Sequence, residues 1–140
     1  MTKCSGRLRF FFDWGAGGCL WAGDEHTREV LGYGPVDADH FDVNGKLSRS
    51  SPLYLPPEIK KLVADLDNEN YTYLNVDYQP DPSLWRQDQC ERFNAKVDML
   101  LKILSTELGS NYDIVDKQTR YSEDPDLDIY LKDPKSFKRS

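Results

Sequence analysis

Cys19 follows directly on Gly15-Ala16-Gly17-Gly18, which places a nucleophile-bearing residue beside a glycine-rich turn. Such a turn lets backbone amides approach an anion, which can lower a thiol's pKa or cradle a phosphate. A catalytic cysteine also needs a base, and His26 and His40 are the only histidines in the sequence. The same glycines lack the Gly-Lys-Ser/Thr ending of a phosphate loop and the G-x-G-x-x-G spacing of a dinucleotide fold. Turn chemistry, with Cys19-Leu20-Trp21 as an apolar anchor, is the simpler expectation; a small cysteine-dependent enzyme using Cys19 with His26 or His40 is the alternative.

Metal chemistry finds less support. Cys4, Cys19 and Cys90 and the two histidines show neither C-x-x-C nor H-x-x-x-H spacing, so no zinc site, disulfide scaffold or cofactor is expected. Asp124, Asp126 and Asp128 alternate as calcium-loop ligands do, but the glycine and the distal glutamate of an EF-hand are missing and Pro125 stiffens the run. A solvated acidic loop is expected there. No G-x-S-x-G context occurs, and carboxylate pairs arise by chance in any acidic chain.

A patterned surface stands out instead. Between Lys61 and Arg86 the sequence has no lysine or arginine, yet it carries Asp65, Asp67, Glu69, Asp77 and Asp81, interleaved with Tyr71, Tyr73 and Tyr78. Carboxylates without neighbouring cations steer a basic partner, and tyrosine buries a large ring while keeping a hydroxyl for a hydrogen bond. The plainer alternative is that Tyr71 and Tyr73 serve the core and the acids only solvate the surface. Asp37, Asp39 and Asp42, around His40 and Phe41, form a second acidic cluster that would extend the patch. The chain has 24 acidic and 18 basic residues, a formal net charge of -6, which argues against nucleic acid as the partner. Lys3, Arg7 and Arg9 near the start and Lys135, Lys138 and Arg139 near the end would make the molecule dipolar if the termini are neighbours.

These residues need a scaffold, and 140 residues suit one domain. Residues 7–14 read as a strand, followed by a glycine break. A short helix capped by Asp24 comes next, with Glu25 in its first turn and Val30 and Leu31 inward, stopped by Gly32 and Gly34-Pro35. Residues 35–55 form a long connection with an Asn44-Gly45 turn, where Val43 and Leu47 either flank a small hairpin or do not. Pro56-Pro57 opens a helix whose Ile59, Leu62, Val63 and Leu66 share one face, ending near 68–70. Residues 71–78 suit either a strand or an ordered aromatic loop, the loop being preferred. A long amphipathic helix over 82–108 follows, with Asp81 or Ser83 as its cap and Gly109 closing it in the left-handed conformation. Its stripe is Phe93, Val97, Leu100, Leu104 and Leu108, widened by Cys90 and Leu101. A second strand is expected at 112–118, an edge strand at Ile129-Tyr130-Leu131, and a frayed tail from about 134. The fold class is therefore α+β: one domain over residues 1–140, a small antiparallel sheet packed against two or three helices. No apolar run approaches the ~20 residues of a membrane span and the N-terminus has no signal-peptide pattern, so no membrane association and a cytoplasmic location are expected.

Arg7-Leu8-Arg9-Phe10-Phe11-Phe12-Asp13-Trp14-Gly15, Asn75-Val76-Asp77-Tyr78-Gln79-Pro80 with Trp85, Cys90-Glu91-Arg92-Phe93-Asn94 and Thr106-Glu107-Leu108-Gly109 resemble segments of small bacterial proteins that carry no established activity. In size and acidity the chain is also similar, as a class, to immunity proteins of bacterial toxin systems, including contact-dependent growth inhibition. That resemblance implies a protein without catalysis that binds one cognate toxin domain, and it transfers no residue. The expected function is therefore toxin neutralisation through the acidic, tyrosine-rich segment at Asp65, Asp67, Glu69, Tyr71, Tyr73, Asp77, Tyr78 and Asp81. The alternatives are the Cys19 enzyme and a housekeeping protein-binding adaptor.

Overall fold

The computed structural model describes residues 5–139. Its centre is β1 (Gly6–Phe10), whose alternation buries Leu8 and Phe10 completely and turns Arg7 and Arg9 outward. On one side β1 pairs antiparallel with β2 (Leu20–Ala22), and on the other it pairs parallel with β5 (Tyr112–Asp116), giving the order β2-β1-β5. The sheet is thus mixed, which corrects the antiparallel expectation. The helix before β5 returns the chain to the edge where β1 begins, so Tyr112 starts opposite Gly6 and both strands run the same way.

Asp24 caps α1 (Glu25–Leu31) by accepting from the Thr27 amide at 2.8 Å. This seven-residue helix buries only Thr27 and Leu31, an i, i+4 pair, so Val30 faces solvent rather than the core. The long connection does hold a small hairpin, β3 (His40–Phe41) and β4 (Leu47–Arg49). Asp42 braces its turn by accepting from the Asn44 and Lys46 amides, at 2.8 and 3.0 Å.

Two helices cover the inner face of the three-stranded sheet. α2 (Pro57–Tyr71) buries Ile59, Val63 and Leu66, and α3 (Gln87–Leu108) buries Cys90, Phe93, Val97, Leu100, Leu104 and Leu108. Neither Asp81 nor Ser83 caps α3. The Ser83 hydroxyl accepts from the Trp85 amide, while Glu123 Oε1 accepts from the Gln87 amide at 3.1 Å and the Glu123 amide donates in return to Gln87 Oε1 at 2.9 Å. Gly109 has φ −64°, right-handed rather than left-handed. The segment expected as an edge strand is instead α4 (Leu127–Lys132): Leu127 and Tyr130 are the buried pair and their i, i+3 spacing fits a helix. The tail is tied down through residue 139. A 3-10 turn at Pro134–Ser136 sets Phe137 edge-on to Tyr130, with ring centroids 5.5 Å apart, and Arg139 reaches Asp124, Asp126 and the Pro80 carbonyl. Among the described residues no helix is long and apolar enough to cross a membrane.

Candidate protein-binding face

One side of α2 organises the face. Lys60, Ala64, Asp67 and Tyr71 follow one another at helical spacing, and the Gly15–Gly18 loop crosses beside them. Gly15 and Gly17 have φ of 77° and 88°, which favour glycine, and this lets the loop lie flat against the helix. The Gly17 amide donates to Asp67 Oδ2 at 3.3 Å, and the Tyr71 ring lies against Gly15.

Beyond α2 the chain is an irregular loop over 72–86, and Asn75 makes it rigid. Its buried side chain accepts from the Asp77 and Tyr78 amides at 3.0 and 3.2 Å and donates to the Pro82 carbonyl at 2.9 Å. Held this way, the loop and the end of α2 enclose an open groove of about 300 Å³ lined by Tyr71, Thr72, Leu74, Asn75, Val76 and Gln79. Tyr71 and Val76, which line it, stand 58% and 86% exposed, and Tyr78 on the same loop is 62% exposed. Large apolar side chains grouped on a fixed loop mark an interaction surface more than isolated ones do. Asp77 and Asp81 form no ion pair among the described residues.

The eight residues expected at the site divide into three groups. Tyr71 lines the groove, and Asp77, Tyr78 and Asp81 are carried by the same 72–86 loop that forms it. Asp65 and Glu69 carry charges largely neutralised at the surface, by Lys61 at 3.0 Å and Lys96 at 3.1 Å. Asp67 and Tyr73 are turned inward and leave the exposed patch. Tyr73 stacks on Tyr121 at 3.9 Å and meets Trp85 edge-on at 5.3 Å, and burial pushes its hydroxyl pKa up. Asp67 is 6% exposed. The signal for its burial is in the helical spacing, because Val63 and Asp67, like Leu66 and Asn70, are i, i+4 pairs that prolong the apolar stripe into polar residues.

The second acidic cluster is equally divided. Asp42 belongs to the hairpin turn, Asp39 pairs with Lys60 at 2.8 Å, and Asp37 is buried. Its carboxylate accepts from the Cys19 amide at 3.1 Å and the Leu20 amide at 3.0 Å, pinning the start of β2. The Cys19 thiol lies 3.6 Å from Asp37 Oδ2. Burial, reinforced by the Asp37 charge, raises that thiol's pKa well above its ordinary value, the reverse of what nucleophile activation requires. Both histidines are on the exterior, so the Cys19–His constellation is not assembled. The alternating carboxylates near the C-terminus have cations of their own: Arg139 takes Asp124 and Asp126, at 2.7 and 3.1 Å, and Arg86 takes Asp128 at 2.9 Å. No family model, curated protein or solved structure matches this chain significantly, so the face is read from its own geometry.

Proposed function

We propose that this chain is an immunity protein that binds and neutralises a cognate bacterial toxin domain, one whose working surface is cationic, as a nuclease's is. The observation that carries the reading is the fixed 71–81 loop: a 300 Å³ groove lined by exposed Tyr71 and Val76 lies on it, and the same loop carries exposed Tyr78 and the carboxylates of Asp77 and Asp81, which form no ion pair among the described residues. A groove of that size accepts one large side chain of a partner, and the rings beside it supply the desolvated contact area in which binding energy concentrates. The carboxylates raise the rate of encounter with a basic surface, while the anchors set residence time. Inhibition would act by occupying the toxin surface, without chemistry in this chain.

An immunity gene normally follows its toxin gene, so the test uses the product of the gene immediately upstream. Surface plasmon resonance should show a complex whose association slows as salt rises. Tyr78→Ala should speed dissociation at least tenfold, and Asp77→Lys should slow association, with unfolding temperatures unchanged. Failure to bind that gene product would refute the immunity reading. Tight binding indifferent to both substitutions would place the contact surface elsewhere.

A further inference from the structure

The face of the three-stranded sheet away from α2 and α3 carries Arg9 of β1, flanked by its cross-strand partners Trp21 of β2 and Val115 of β5. Phe11, two residues on, stacks on Trp21 with ring centroids 4.9 Å apart and planes 5° from parallel. Two bonds fix this arrangement: Trp21 Nε1 donates to the Phe11 carbonyl at 3.0 Å, and Arg9 Nε donates to the Ala22 carbonyl at 3.3 Å. The Arg9 guanidinium lies 5.6 Å from the centre of the Phe11 ring.

Beside the stack is a narrow cleft of about 40 Å³, lined by Arg9, Trp21, Arg28, Gly32, Tyr33 and Gly34. Arg28 lies over the Tyr33 ring at 5.8 Å, and Tyr33 is 85% exposed. Phe11 also lines a depression of about 210 Å³ with Trp14, Lys117 and Thr119. The chain has 24 acidic residues against 18 basic ones, yet Arg9, Arg28 and Lys117 form no ion pair among the described residues, whereas Arg86, Arg92, Arg120 and Arg139 all do. Two guanidinium groups that line one cleft without a counter-ion repel each other, and an anion placed between them relieves that repulsion.

We infer that this face docks an acidic polypeptide segment, with one carboxylate in the Arg9–Arg28 cleft and the segment continuing over Phe11 toward Lys117. A guanidinium fork gives a planar carboxylate two parallel bonds, and the Arg9 bond to Ala22 uses only Nε, so its terminal nitrogens remain to make them. The cleft is little larger than the ~30 Å³ that one water occupies in the liquid, so it admits the head of an acidic side chain and not a nucleotide. Nucleic acid would also meet the repulsion of a net charge of -6. The rings beside the arginines hold them in place and offer apolar area to the residues flanking the carboxylate. This face shares no residue with the lining of the 71–81 groove, and it does not require the partner to be a toxin.

Amide spectra of the labelled protein, titrated at pH 7 with the blocked peptide Ac-Glu-Gly-Glu-Gly-Glu-NH2, provide the test. Saturable shifts are expected at Arg9, Trp21, Arg28, Gly32, Gly34 and Lys117. The glutamine counterpart, equal in shape but uncharged, should bind at least tenfold more weakly. Arg28→Gln should weaken the acidic peptide at least tenfold with the unfolding temperature unchanged, and Arg9→Gln should weaken it as much. No saturable shifts at these residues, equal binding of the glutamine peptide, or insensitivity to either substitution would overturn the site. Acetate binding as tightly as the peptide, or shifts that stop short of Lys117, would overturn the polypeptide segment as its occupant. Tighter binding of oligothymidylate, or shifts at the same amides on concentrating the protein alone, would overturn it in favour of nucleic acid or of a second copy of the chain. No toxin enters these measurements, so their failure is distinguishable from failure of the proposed function.

Discussion

Asp37 and Asp67 are neighbouring buried carboxylates, yet replacing each by asparagine should have opposite effects. Asp37 accepts from two backbone amides and faces a thiol. Asparagine keeps one acceptor and turns an NH2 toward those donors, leaving a buried amide unpaired. Such a loss is worth about 1–3 kcal/mol, partly offset by removing a buried charge, so Asp37→Asn should destabilise by about 2 kcal/mol. Asp67 accepts one long bond at 3.3 Å, which an asparagine oxygen can retain. Removing its charge relieves desolvation and repulsion from Asp37 and Asp13. At pH 7 Asp67→Asn should therefore be neutral or stabilising, by up to about 1 kcal/mol, on the scale of ~1.4 kcal/mol per pKa unit. A carboxyl whose folded pKa is raised penalises folding only above its ordinary value, 3.8, and the penalty grows from there until pH passes the folded pKa, where it levels off. The advantage of Asp67→Asn should accordingly vanish near pH 4. Urea unfolding followed by tryptophan fluorescence resolves this, because 1 kcal/mol moves the midpoint by about 0.5 M at a slope of ~2 kcal/mol/M. A loss beyond ~1 kcal/mol for Asp67→Asn at pH 7, or a gain identical at pH 4 and 7, would refute the account.

Three further outcomes are expected. Tyr121→Phe removes a hydroxyl that donates to Asn70 Oδ1 at 2.7 Å, and the Asn70 amide nitrogen already lacks a partner; the variant should lose about 2 kcal/mol in the same urea assay, far more than a surface tyrosine would. Arg139→Ala should cost no more than ~1 kcal/mol, because its ion pairs are partly exposed, but it should speed proteolysis within 72–86, since Arg139 holds the Pro80 carbonyl at 2.8 Å. Cys19, buried and with its thiol pKa raised, should resist iodoacetamide at pH 8 in the folded protein and react fully in urea, as read by peptide mass spectrometry; rapid native labelling would revive the nucleophile reading.

The amphipathic helices were legible because their apolar stripes repeat at three and four residues, and β1 because Leu8 and Phe10 alternate with arginines. β2 escaped notice because three residues carry no periodicity, and β5's parallel direction depends on where a distant helix ends. In the candidate site, charge and ring content were visible but burial was not. Tyr73 left the surface because Tyr121, far along the chain, stacks on it. Asp67 left it because the stripe of α2 extends beyond its last aliphatic residue. The acidic run at 124–128 looked solvated because the arginines that neutralise it, Arg86 and Arg139, approach from other segments.

Ion pairing redistributes the charge of the molecule. Lys61, Lys96, Arg120 and Arg139 quench carboxylates along the outer surfaces of the helices and the C-terminal segments. Asp77 and Asp81, on the loop that follows α2, form no ion pair among the described residues. On the sheet face turned away from the helices, Arg9 lies over Phe11 at 5.6 Å and forms no ion pair among the described residues; near that face Arg28 lies over Tyr33 at 5.8 Å. A basic partner of the proposed kind would thus be turned toward the carboxylates of the 71–81 loop and away from these arginines as it approaches. The Debye length is about 8 Å at physiological ionic strength, so this guidance acts only in the last steps of encounter. Salt should therefore reduce association while leaving dissociation, governed by the rings of the 71–81 groove, nearly unchanged.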